Sequence, residues 1–74
     1  MKTGERQMEK VYTVKEVAQL LKVNVNTVHK FRKSGMLKFM KIGSFKVRES
    51  SLEDFLKKYD GYDVSDPENV RELV

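Results

Sequence analysis

Asn26, His29, Lys30 and Lys33 recur at i, i+3, i+4 and i+7, the spacing that sets four side chains on one face of a helix. Together they can read polar edges. An asparagine amide bonds adenine through N6 and N7, a lysine reaches guanine O6 and N7 or a phosphate oxygen, and a histidine does either. Around them, Val17 to Arg48 holds no acidic residue but includes Lys22, Lys30, Arg32, Lys33, Lys38, Lys41, Lys46 and Arg48. Eight cations without local counter-charge repel one another, which suits a surface laid against a polyanion. From Glu49 to Val74 the sign reverses, with eight carboxylates against Lys57, Lys58 and Arg71. Solvated surfaces ordinarily intersperse their signs, so this segregation says more about a partner than the net charge of +4 does. Double-stranded DNA is the expected partner.

Other chemistries fit less well. The 74 residues contain no cysteine and one histidine, which rules out thiolate metal sites and disulfides and leaves His29 without a cysteine or second histidine as co-ligand. No carboxylate lies near His29 in sequence to make it a general base, no nucleophile-base pair can be assembled, and no cofactor is implied, so an enzyme is not expected. Phe31, Phe45, Phe55 and Tyr59 interleave with basic residues as in single-strand binders, but each falls at a core position of its element. Met1 to Lys10 lacks the apolar run of a signal peptide, and no run approaches the ~20 residues that cross a bilayer, so a cytoplasmic location without membrane contact is expected.

The elements that must hold the reading face can be placed from caps and stripes. Residues 1–10 read as a flexible arm, with order beginning near Val11 or Tyr12. Thr13-Val14-Lys15-Glu16 is a capping box, and Val14, Val17, Ala18 and Leu21 form one apolar stripe, predicting a helix that ends near Lys22. Asn24 is a favoured N-cap, so a second helix starts about three residues later and crosses the first steeply. Val28 and Phe31 bury this second helix, and Ser34-Gly35 closes it.

Leu37 to Ile42 and Phe45 to Arg48 favour strands and flank Gly43-Ser44, which reads as a tight hairpin. Period-two alternation would turn Met40, Ile42, Phe45 and Val47 inward and Lys41, Lys46 and Arg48 outward. It also leaves Phe39 on the outer face, explicable only by a bulge or a covering tail. Ser50-Ser51-Leu52-Glu53 repeats the capping pattern, and Leu52, Phe55, Leu56 and Tyr59 make a third helical stripe ending before Gly61. Asp66-Pro67-Glu68 predicts one or two helical turns over Pro67 to Leu73, stable only if docked.

The expected fold is therefore α+β, mainly α: a winged helix-turn-helix with a two-stranded wing, a third helix and a short C-terminal helix. Its binding unit would span residues 11–60, with 61–74 an acidic tail. Asn26, His29 and Lys30 are the expected base contacts. Lys33, nearer the helix C-terminus, would meet a phosphate, as would Lys41, Lys46 and Arg48 on the wing. Thr13 and Lys15 lie where helix amides suit a phosphate oxygen, although capping alone explains Thr13. The Thr27 hydroxyl has two readings, a backbone contact or a bond within its own first turn. Arg32 could pair with an acid of the third helix.

Tyr12-Thr13-Val14-Lys15-Glu16-Val17-Ala18, Leu20-Leu21-Lys22-Val23-Asn24, Thr27-Val28, Gly35 and Lys41-Ile42-Gly43 together resemble the excisionase-type branch of the MerR-like winged helix-turn-helix domains. That branch includes AlpA-like regulators, and the resemblance covers about Val11 to Tyr59. It implies a small DNA binder that acts beside a recombinase or integrase, with cooperative self-association on DNA. The same domain also serves small transcriptional regulators, and a protein-interaction module or anti-repressor is a remoter alternative. Only about fifteen residues follow Tyr59, too few for the long dimerisation helix of larger activators, so no small-molecule effector is expected. The chain departs from the family pattern at Val25, where arginine is frequent, and at His29, where tyrosine is frequent. Its wing tip is one residue shorter, with Ser44 where a basic residue is common, while Lys46 matches the family's basic position.

Overall fold

The computed structural model describes residues 10–73, so the expected arm lies outside the described residues apart from Lys10. Strand β1 (Val11–Thr13) runs directly into helix α1 (Val14–Leu21) through the Thr13 cap. The Thr13 hydroxyl accepts from the Glu16 amide at 3.1 Å, and the Glu16 carboxylate accepts from the Thr13 amide at 2.8 Å, the reciprocal pair expected there. Lys22 ends the helix in the left-handed region at φ 59°, turning the Val23 amide back onto the Ala18 carbonyl at 2.9 Å. Asn24 then caps α2 (Val25–Ser34), its Oδ1 accepting from the Thr27 amide at 2.8 Å.

This minimal turn brings Val17 and Ala18 of α1 and Val28 and Phe31 of α2 into one buried cluster with Leu37, Val47, Leu52 and Phe55. The stripes of α1 and α2 pack as expected. On α3 (Glu49–Lys58) Leu52 and Phe55 are buried, but Leu56 stays 49% exposed, so the third stripe is narrower than its spacing implied.

Strands β2 (Met40–Ile42) and β3 (Ser44–Arg48) form the wing, joined by Gly43 alone. The register pairs Met40 with Lys46, Lys41 with Phe45 and Ile42 with Ser44. A glycine at φ 73° permits this single-residue turn. It shifts the pairing by one residue from a Gly43-Ser44 loop, and a one-residue slip turns every side chain of a strand to the other face. The expected facing of β2 is thereby corrected. Ile42 is 62% exposed, whereas Phe39 turns inward, packs against the core and meets the Phe45 ring edge-on at 6.2 Å.

The two-stranded wing is extended by a third strand. β1 pairs antiparallel with β3, Tyr12 opposite Val47, giving a three-stranded sheet in the order β1-β3-β2. The same pairing moves the start of α3. The Glu49 amide donates to the Lys10 carbonyl at 2.9 Å, and Arg48 is the N-cap, so the helix begins before the capping pattern at Ser50. The tertiary bond sets the boundary here, not the local side-chain pattern.

The expected C-terminal helix is absent among the described residues. Tyr62–Asp63 (β4) pairs instead with Arg71–Glu72 (β5) as an antiparallel ribbon, and the Leu73 amide donates to the Gly61 carbonyl at 2.7 Å. Asp66 does start a turn, accepting from the Glu68 amide at 3.1 Å, but a helix this short does not offset its nucleation cost. No helix among the described residues is long and apolar enough to cross a membrane.

Candidate nucleic-acid interface

Helix α2 is held from behind by Val28 and Phe31 and fixed at both ends, by Asn24 and by Gly35, whose amide donates to the Arg32 carbonyl at 3.1 Å. Its remaining faces are thereby committed outward. Asn26, Lys30 and Lys33 are exposed, and with Asn24, Thr27 and Arg32 they border one broad concave surface. The expected α2 contacts Asn26, Thr27, His29, Lys30 and Lys33 thus lie along a single element and line one surface.

His29 is half-buried and turns towards the wing instead of standing fully in solvent. Its Nδ1 accepts from Arg32 Nε at 3.2 Å, so the ring keeps its other nitrogen as donor, and its edge meets Phe45 at 6.2 Å. The Arg32 guanidinium lies 4.1 Å above the Phe45 ring, and the Lys41 ammonium sits 5.1 Å from the same ring. Arg32 therefore finds its partners in the wing and His29, not in an acid of α3. Arg32 on the Phe45 ring ties α2 to the wing, while Lys41 packs on the same ring from within the wing.

At the wing tip the Lys46 ammonium donates to Ser44 Oγ at 2.7 Å and to the Ile42 carbonyl at 3.2 Å. A positive charge thus stands at the tip even though Ser44 carries none. Period-two spacing of Ser44 and Lys46 contained this signal. Arg48 stands at the other end of β3, opposite Val11 and in the N-cap position of α3, where its side chain makes no cap hydrogen bond.

The two threonines differ. Thr27 Oγ1 donates to Asn24 Oδ1 at 3.0 Å, which spends its hydrogen inside the turn. Thr13 Oγ1 accepts from Glu16 and keeps a hydrogen that can reach a phosphate oxygen. Thr13 and Lys15 border a recess with His29 and Ser44, over a floor of Val14, Val25 and Phe45. Sequence reasoning noted Val25 only as a departure from the family pattern and did not foresee the joining role of Phe45. It also missed that Asp66, Pro67 and Glu68 of the ribbon loop share a recess with Lys30, Lys33 and Ser34 on the other flank of α2. No group of three metal-ligating side chains occurs among the described residues.

The sequence model of the family described as "Helix-turn-helix domain" matches residues 11–60. Neither curated proteins nor solved structures gave a match.

Proposed function

The chain belongs to the helix-turn-helix domain family, a DNA-binding family, and we propose that it is a sequence-specific double-stranded DNA binder of the MerR-like, excisionase-type branch. Its binding unit is residues 11–60, with 61–74 an acidic appendage. Asn26, His29 and Lys30 read bases, while Thr13, Lys15, Lys33, Lys41 and Lys46 hold phosphates. The carrying observation is the exposed, acid-free face of α2, fixed at both caps and flanked by a wing whose tip bears the Lys46 ammonium. A single module of this size buries about 600–1,000 Å² of its own surface on DNA, too little for strong specificity alone. Adjacent copies, or an integrase on the same DNA, supply the rest. The protein acts as a recombination directionality factor of a mobile element.

The test is a titration of random and element-derived duplexes at several salt concentrations. Four to six phosphate contacts give a slope of log affinity against log salt of about −3.6 to −5.4. Stepwise shifted species on the element's own DNA, and loss of excision when the gene is removed, support the directionality role. Unchanged excision with retained DNA binding would instead assign a small transcriptional regulator. No binding at low salt would sink the DNA reading.

A further inference from the structure

Val25 is the first residue of α2, is 40% exposed, and stands beside Asn26 at the end of the helix that enters the groove. It has no donor or acceptor to offer a base edge. With Val14 and Phe45 it makes an apolar floor, while Thr13 and Lys15 on the rim supply a hydroxyl hydrogen and an ammonium. The apolar feature of the major groove is the methyl group at pyrimidine C5, carried by thymine. An apolar floor beneath phosphate-binding donors matches one nucleotide presented methyl-first, with its strand's phosphate at the rim.

We propose that this recess seats the C5-methyl group of a pyrimidine in the major groove, with Val25 as the specificity-determining residue. The proposal rests on the DNA-binding reading above. Thymine and 5-methylcytosine present the same group at the same place, so both are sources of the ligand. His29, bonded to Arg32 and set against Phe45, fixes the wall between this site and the bases read by Asn26 and Lys30.

The full chain is used to select duplexes from a random pool. Each thymine of the selected site is then replaced by uracil, which removes only the methyl group. At one thymine near the base read by Asn26, uracil is expected to weaken wild-type binding about fourfold, the worth of one buried methyl. Val25→Ala should bind thymine and uracil equally there, with unchanged melting, while Leu56→Ala on α3 retains the fourfold difference. Equal binding of 5-methylcytosine and thymine at that position assigns the site to any C5-methyl, and preference for thymine alone assigns it to that base. Specific binding with no uracil position that separates wild type from Val25→Ala overturns the proposal and leaves the DNA reading intact. Failure to bind any duplex overturns both.

Discussion

On its wing side α2 faces Val14, Phe45 and the Thr13 hydroxyl, whereas on its tail side the same helix faces Asp66, Pro67 and Glu68. The first flank has an apolar floor and donors at its rim. The second sets carboxylates beside Lys30 and Lys33. On the proposed DNA reading, a duplex lying along α2 gains contacts towards the wing and meets like charge towards the ribbon. Charge segregation visible in the chain as two blocks thus becomes, in space, a single helix with one receptive flank and one guarded flank.

The comparison breaks first at Asn26, which lies between the flanks. Asn26→Ala should cost about 1–3 kcal/mol on the selected site and almost nothing on random DNA, measured by competition titration. Equal losses on both would remove Asn26 from base readout. Lys46→Ala tests the receptive flank, since its ammonium is the charge at the wing tip. It should weaken all duplexes alike and flatten the salt slope by about one unit; an unchanged slope would mean that the tip does not touch phosphate.

The guarded flank answers to Asp66→Asn with Glu68→Gln. Charges about 8 Å from a phosphate in water oppose it by roughly 0.5 kcal/mol each, so the double variant should bind a few-fold tighter at low salt. The gain should fade near 1 M salt, where screening shortens to about 3 Å. Unchanged affinity would show that the ribbon leaves the helix when DNA arrives.

The smallest effect concerns Asp63. The Ser65 main-chain amide, donating to its carboxylate at 3.0 Å, holds the group below its ordinary range, helped by the Ser65 side chain and Arg71 against slight desolvation. A depressed carboxylate stabilises the folded form above its unfolded value, and that contribution is lost as pH falls through the folded value. Amide protection at Ser65 and Arg71, corrected for the intrinsic pH dependence of exchange, should therefore fall at acidic pH while that of α2 is unaffected. Protection that falls equally in α2 would tie the ribbon to the core.

Caps and stripes were legible because each depends on residues within one or two turns. Thr13 with Glu16, Asn24 with Thr27, and the Val17, Ala18, Val28, Phe31 set all appear where their spacing placed them. The exposed placement of Asn26, Lys30 and Lys33 was legible because it follows from the period of α2 alone. His29 and Arg32 were less so, because their environment comes from Phe45, which is distant in sequence.

By itself the sequence determined the helix-turn-helix, the acid-free exposed face of α2 and the charge reversal after Arg48, since helical period, capping and charge are local properties. Tertiary structure decided the rest. A turn of Gly43 alone set the facing of β2, pairing with β1 added a strand and began α3 at Glu49, and ribbon pairing replaced the terminal helix. Each of these turns on a hydrogen bond between segments far apart or on a one-residue register. Local propensity is nearly indifferent to such choices, whereas burial and main-chain pairing are not.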